Sequence, residues 1–216
     1  MGKKREPKRN STPITDDQIK VLLEGIPDPR WCLLVQLLVC FGLRPVEARY
    51  CRPSKDRTQL EVAYCKRTSR GSTKPRAVFG MDPVGLEGLS DQVLAYLAAG
   101  RPLLPPLGSS DGVTANALTI YLNRRPAWQQ LKADAATTGE RLTAYSFRHG
   151  YALRAHEVYR LSPRVTAALM GHSLLTHTAC YGQWTDQRTI EQAIAQSRQQ
   201  RERHPVRLAG ENPVHP

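Results

Sequence analysis

Two arginines, a histidine and a tyrosine lie in or beside predicted helices, whose rigid backbone could direct their side chains toward one point. Arg44 lies at the corner between two predicted helices, and Arg148 lies within a later one. His172 follows the helix-ending Gly171, and Tyr181 comes nine residues after His172. A phosphodiester under attack gains negative charge, which guanidinium groups can bind through paired hydrogen bonds. These are therefore the residue types that phosphoryl transfer needs.

Three short segments resemble, in order and spacing, the motif boxes of the tyrosine recombinase, or phage integrase, catalytic domain. They are "GLRPVEA" (42–48), "YSFRHGYA" (145–152) and "MGHSLLTHTACY" (170–181). Each box alone is a weak signal, but the ordered set is specific, and the resemblance spans roughly residues 14–185. It implies the following catalytic positions: Arg44 as the first arginine, Arg148 as the second, His172 at the histidine or tryptophan position, and Tyr181 as the nucleophile.

The family also has a lysine at the end of a strand in a β-hairpin. Lys66 ends the first predicted strand of such a hairpin and is the favoured candidate. Lys74 is the alternative, because "TKPRAV" resembles the second half of the hairpin. By resemblance, this lysine protonates the oxygen that leaves the phosphorus.

Tyr145 departs from the family pattern. The family usually has histidine or lysine three residues before the second arginine, where this chain has Tyr145. A phenol is a poor general base near neutral pH compared with an imidazole, because its ordinary pKa is near 10. Tyr145 is therefore expected only to hydrogen-bond to the phosphate or the nucleophile, or else cleavage is expected to be slow. Two neighbours of the arginines, Glu47 and His149, are interpreted as structural, and Glu47 is expected to pair with a nearby arginine.

The resemblance implies a site-specific recombinase that cleaves and rejoins DNA through a 3′-phosphotyrosyl intermediate. Because the bond energy is kept in the ester, no ATP, metal or other cofactor is expected, and no phosphate-binding glycine loop is present in the sequence. A metal site built from His172, His177 and Cys180 can be drawn, but it lacks an obvious fourth ligand. A non-catalytic DNA-binding or regulatory module with the same fold is the alternative function, and a type IB topoisomerase is a third class.

The charge of the chain favours a polyanionic partner. Its 216 residues include 31 Lys and Arg against 19 Asp and Glu, a formal net charge of +12. The basic segment "KKREPKR" (3–9) supplies only part of this excess. Such a field predicts binding to double-stranded DNA, although charge alone could also serve only solubility.

Composition indicates a cytoplasmic protein. The five cysteines are odd in number, scattered and without a C-x-x-C pair, which is typical of reduced thiols. The N-terminal segment has no apolar stretch of the length that a secretory signal needs, and no apolar run in the chain is long enough to span a membrane.

The pattern of caps and apolar spacing predicts an α+β, mainly helical fold with a small antiparallel sheet. Early helices are predicted around "TDDQIKVLLEGI" and "DPRWCLLVQLLVCF", and a third begins at Pro45. "TQLEVAYC" and "RAVFGM" predict the hairpin. A long helix is predicted over about 114–132, and the last over about 185–200.

The sequence predicts three regions. Residues 1–13 are expected to form a basic disordered arm or linker remnant, and 14–184 the catalytic domain. Residues 185–216 are expected to form a helix and tail that are either exchanged between protomers or docked on their own chain. By resemblance, the working assembly is a tetramer on DNA.

Overall fold

The computed structural model describes residues 11–181 except 66, 69–70, 101–103 and 109, and also describes 190–191, 194–195 and 197–199. The fold is mainly helical with a small antiparallel sheet, as predicted. The helices are α1 (Asp16–Glu24), α2 (Pro29–Phe41), α3 (Leu89–Ala98), α4 (Asp111–Asn123), α5 (Pro126–Thr137), α6 (Ser146–Glu157), α7 (Pro163–Met170) and α8 (Leu174–Tyr181). The strands are β1 (Cys51–Pro53), β2 (Leu60–Val62), β3 (Arg67–Thr68), β4 (Gly71–Ser72) and β5 (Arg76–Val78), and a 3₁₀ helix spans Pro45–Tyr50.

Helix α2 is the centre of the fold. It begins with Asp28 as N-cap and Pro29 in the first turn, and eight of its residues, from Leu33 to Phe41, are buried. It packs against α1, α3 and α6. Because α2 is apolar on nearly all sides, it organises the elements that carry the candidate site around itself.

The sheet has the strand order β1-β2-β5, with antiparallel pairing throughout. The predicted hairpin is present as β2 and β5, in which Leu60 pairs with Val78 and Val62 with Arg76. Strands β3 and β4 form a small second hairpin within the connection between them. This register places Arg76 at the start of β5, beside the 3₁₀ helix that follows Arg44.

Three predicted elements differ from the structure. The single helix expected over 114–132 is two helices, because Pro126 occupies the first turn of α5 and cannot continue α4. The helix expected at Pro45 is a short 3₁₀ helix, because the chain enters β1 directly after Tyr50. Strand β1 itself was not predicted.

Two glycines end the helices that flank the candidate site. Gly42 ends α2 with φ of 58°, and Gly171 ends α7 with φ of 66°, a backbone region that favours glycine. A Cβ at Gly42 would also overlap the ring of Tyr151. These turns fix the positions of the backbone carbonyl groups that accept hydrogen bonds from Arg148 and Arg44.

Among the described helices, none has both the length and the apolar character needed to cross a membrane. Of the predicted last helix, residues 190–191, 194–195 and 197–199 are helical, and the rest of 185–200 lies outside the described residues. Residues 1–10 of the predicted arm also lie outside them.

Candidate active site

A single buried carboxylate, that of Glu47, joins the arginines of the site. Its side chain has 0% exposure. Arg44 donates from Nη1 to Glu47 Oε1 at 2.7 Å, and its backbone N–H donates to Oε2 at 2.8 Å. The prediction that Glu47 pairs with a nearby arginine is confirmed. The local reason is the turn at Pro45, which brings residue 47 back onto residue 44.

Arg148 lies on α6 at the point where two other helices end. Its side chain is buried, and its guanidinium donates to the carbonyl of Gly42, after α2, and to that of Met170, in α7. Its Nη1 lies 4.0 Å from Glu47 Oε2. Helix C-terminal carbonyls carry partial negative charge, which helps to hold a buried cation there. Burial, followed by the positive charge of Arg44, lowers the pKa of Arg148 to about 10, so it stays charged at neutral pH.

Arg76 is a third arginine of the site and was not predicted from the sequence. Its guanidinium donates two parallel hydrogen bonds to Glu47, from Nη2 to Oε2 at 2.8 Å and from Nη1 to Oε1 at 3.0 Å. Its Nε donates to the Leu169 carbonyl at 2.7 Å. Through Arg76, β5 therefore links the 3₁₀ helix to α7. A basic residue at the start of a short strand was the available signal, but its partner lies 29 positions away in the chain.

The charge of this cluster is unbalanced. Burial alone would raise the pKa of Glu47, but the hydrogen bonds and charge of Arg76, with the charges of Arg148 and Arg44, lower it to about 2. Glu47 is therefore fully ionised at neutral pH. Among the described residues of this cluster, three guanidinium groups face one carboxylate, and the resulting excess of positive charge favours the approach of an anion.

His172 and Tyr181 lie beside this cluster. Arg44 Nη2 lies 3.5 Å from the carbonyl oxygen of Gly171, the residue before His172. The rings of His172 and Tyr181 are 6.0 Å apart between centroids. The structure thus brings Arg44, Arg148, His172 and Tyr181 together from distant parts of the chain.

Tyr181 is buried among histidine rings at the end of α8. It is 8% exposed, with its ring centroid 4.4 Å from that of His177 and 5.6 Å from that of His149. Burial raises the pKa of Tyr181 to about 12, even though the charges of Arg148 and Arg44 oppose this rise. The phenol is therefore neutral in this position.

An open groove of about 380 Å³ leads to the cluster from the sheet side. Lys74, Arg76, Gly171 and His172 are among its lining residues. Lys74 is exposed there, on the same groove as His172. The favoured lysine candidate, Lys66, lies outside the described residues.

The remaining predicted residues are placed as follows. Tyr145 precedes α6 and is half-buried, and its carbonyl accepts a hydrogen bond from the His149 N–H at 3.0 Å. Burial and the charge of Arg148 lower the pKa of His149 to about 4, so this imidazole is neutral at pH 7. His177 bonds directly to His172, and within the described part of the chain no group of three or more His, Cys, Asp or Glu side chains is arranged to hold a metal ion.

Arg76→Lys should lower the free energy of unfolding by about 2 kcal/mol. The three N–H donors of a lysine lie on one nitrogen, so they cannot reach both Glu47 oxygens and the Leu169 carbonyl as the planar guanidinium does. Urea denaturation at neutral pH measures this change.

The matched control is Arg52→Lys. Arg52 Nε also meets a carboxylate oxygen at 2.8 Å, that of Glu61, but this pair is exposed on the neighbouring strands. An exposed pair contributes little, so the control should change stability by less than about 0.5 kcal/mol. An equally small change for Arg76→Lys would contradict the role given to its buried contacts.

Known proteins resemble this chain in sequence and in fold. No family model matches the chain. The tyrosine recombinase XerD of Vibrio vulnificus (strain YJ016) is 29% identical over 184 residues, which cover 81% of the chain and 57% of that protein. The XerD of Lacticaseibacillus casei is 29% identical over 159 residues, covering 73% of the chain and 51% of that protein. The chain therefore spans little more than half the length of the curated relatives it matches.

Solved structures share the fold. The XerA recombinase superposes with a TM-score of 0.57 at 16% identity, covering 91% of this chain and 67% of that one. The integrase of the Tn1549 transposon, solved in complex with a circular intermediate DNA, gives 0.56 at 16% identity, covering 91% and 68%. The architecture is that of a tyrosine recombinase catalytic domain. Because its relatives in sequence are also named tyrosine recombinases, the family resemblance drawn from the three motif boxes is confirmed.

Proposed function

We propose that this chain cleaves and rejoins double-stranded DNA through a covalent bond between Tyr181 and a 3′-phosphate. The observation that carries the proposal is the joining of Arg44 and Arg148 through buried Glu47, beside His172 and Tyr181. A net positive site next to a phenol suits a phosphodiester under attack. The relatives named tyrosine recombinases support the same reaction.

The proposed step exchanges one ester bond for another. The Tyr181 oxygen bonds to the phosphorus, the bond from phosphorus to the 5′ oxygen breaks, and that oxygen takes a proton from a lysine. The groove shared with His172 supports Lys74 as the donor, while Lys66 remains the candidate from the sequence. The 5′-hydroxyl of a partner strand then reverses the step, without any cofactor.

Tyr181 must lose its proton to attack. With a pKa of about 12, forming the phenolate at pH 7 costs about 7 kcal/mol. A positioned proton acceptor must therefore act during the attack, or the phenol must move to a more polar position when DNA binds.

We also propose the partners and the setting of the reaction. DNA is the partner favoured by the net charge of +12 and by the positive site. Exchange between duplexes requires cleavage of several strands, so copies of the chain would assemble on DNA, as a tetramer by family resemblance. This work would take place in the cytoplasm.

A second candidate is a DNA-binding module that does not cleave. The burial of Tyr181 favours it, because an enclosed phenol of raised pKa is a weak nucleophile. This module would bind the same duplex through the same basic surface.

A suicide substrate separates the two functions. A duplex nicked beside the cleavage site loses its short 5′-hydroxyl fragment, so a covalent adduct accumulates. We expect an adduct that survives denaturation and maps by mass spectrometry to the peptide containing Tyr181. Intact binding without an adduct on any of a library of duplexes would favour the non-cleaving module.

A further inference from the structure

Three histidines form a continuous chain of hydrogen bonds behind the candidate active site. His172 Nε2 lies 3.2 Å from His177 Nδ1, and His177 Nε2 lies 2.8 Å from His156 Nε2. His156 Nδ1 lies 2.9 Å from the carbonyl oxygen of Leu161. The middle ring uses both of its nitrogens, so the arrangement is a chain rather than a cluster around one ion.

The Leu161 carbonyl, at the far end of the three histidines, determines which ring nitrogen carries the proton in each neutral imidazole. The Leu161 carbonyl can only accept, so His156 carries its proton on Nδ1 and accepts on Nε2. His177 then donates from Nε2 and accepts on Nδ1, and His172 donates from Nε2. The acceptor nitrogen of His172 is therefore Nδ1.

A lone histidine at position 172 would be a weak proton acceptor. Burial, followed by the charge of Arg148 and then by His177, Arg44 and Arg76, lowers the pKa of His172 to about 3. The physical cause is that an imidazolium there would lie buried beside guanidinium groups. A chain of imidazoles avoids this by letting the charge appear on a different ring.

We propose that His172, His177 and His156 form a proton relay that accepts the Tyr181 proton at His172 and holds the positive charge at His156. The relay rests on the proposed function. As the Tyr181 oxygen bonds to phosphorus, its proton moves to Nδ1 of His172, the Nε2 proton of His172 moves to His177, and the Nε2 proton of His177 moves to His156. The leaving 5′ oxygen still takes its proton from a lysine, and rejoining runs the relay backward.

His156 is suited to hold the charge. It lies in the last turn of α6, where the helix dipole favours a cation, and its Nδ1–H already donates to a carbonyl. It is half-buried, and it is separated from His172 by the ring of His177. The relay thus supplies the proton acceptor that Tyr145 does not.

The groups that face the relay come from each element packed around it. Arg148 and His149 lie on α6, Tyr181 and Cys180 on α8, Arg76 on β5, and Arg44 and Glu47 at the 3₁₀ helix. Arg148, Arg44 and Arg76 all disfavour a positive charge on His172, whereas of these three only Arg148 does so on His177, and the positive charge is therefore favoured away from His172.

Nitrogen-15 NMR of the imidazole rings tests the relay without DNA. At neutral pH we expect the Nε2–H tautomer at His172 and His177 and the Nδ1–H tautomer at His156. A His172 ring with its proton on Nδ1 would overturn the proposal, whether or not the protein cleaves DNA.

Single-turnover cleavage of the suicide substrate tests the transfer itself. His177→Gln can keep hydrogen bonds to both neighbours but cannot pass a proton, so the cleavage rate should fall about 100-fold, the lower range for a positioned proton acceptor. His156→Phe should also slow cleavage, because it removes the ring that accepts the last proton of the relay. If His156 served only as packing, the cleavage rate of this variant would stay at the wild-type value.

The control variant is Thr178→Val on the same helix, whose exposed hydroxyl bonds only within α8. It should cleave at the wild-type rate, and circular dichroism and DNA affinity should match wild type in all variants. His177→Gln at the wild-type rate would overturn the relay while leaving the proposed function in place. If the wild-type protein forms no adduct, the proposed function fails. The nitrogen-15 measurement then still tests the tautomers that the relay requires at the three histidines.

Discussion

Tyr181→Phe should abolish the covalent DNA adduct, lowering its rate of formation by more than about a thousandfold. The change removes only the oxygen that would bond to phosphorus. The ring keeps its packing, with its centroid 4.4 Å from that of His177, so the fold and the DNA affinity should stay as in the wild type. Trapping on the nicked duplex and a binding titration at the same salt concentration measure the two quantities.

The matched control is Tyr151→Phe. Tyr151 is also a buried tyrosine near the site, but its hydroxyl donates to the Phe79 carbonyl at 3.4 Å. The same atom is removed from a similar environment, so adduct formation should continue. An adduct that persists in Tyr181→Phe would assign the nucleophile to another residue and would end the mechanism proposed for this chain.

Local sequence signals for helix starts and ends predicted the helix ends that hold the site residues. Gly171 ends a helix in the left-handed conformation, as predicted, and Gly42 does the same at the end of α2. Ser162 caps α7, and Thr15 forms a capping box with Gln18. These devices depend on neighbours three or four residues away, so the sequence alone carries them.

Contacts that decide the electrostatics of the site were not predictable in this way. The bond between Arg76 and Glu47 depends on the register of a short strand, and the bond between His156 and His177 joins residues 21 positions apart. Both require the docking of separate elements, which no local pattern fixes. The same limit applies to Tyr181, because its position along α8 was evident but its burial depends on packing against α6.

Glu47→Gln should lower the free energy of unfolding by about 3–5 kcal/mol at neutral pH. Glutamine has nearly the same shape, but it leaves buried Arg44, Arg76 and Arg148 without a counter-charge. Its amide group also presents a donor to guanidinium groups that need an acceptor. Urea denaturation of the variant and the wild type gives the difference.

The same difference should depend on pH in a defined direction. The pKa of Glu47 is depressed from about 4.5 to about 2 on folding, so its ionisation contributes about 3 kcal/mol of stability above pH 4.5. That contribution is lost as the pH falls from 4.5 toward 2, and about half is gone near pH 3. Histidines with lowered pKa, such as His177, also destabilise the fold below about pH 6.5, but they do so in both proteins and cancel in the difference.

Glu61→Gln provides the control for this experiment. Glu61 meets Arg52 at 2.8 Å on the exposed face of the sheet, so its loss should change stability by less than about 0.5 kcal/mol at either pH. The difference in free energy of unfolding between Glu47→Gln and the wild type should narrow on acidification. The small difference for Glu61→Gln should stay constant. A gap for Glu47→Gln that is the same near pH 3 as at pH 7 would mean that this carboxylate is not held ionised by the arginines, and the excess positive charge assigned to the site would then be wrong.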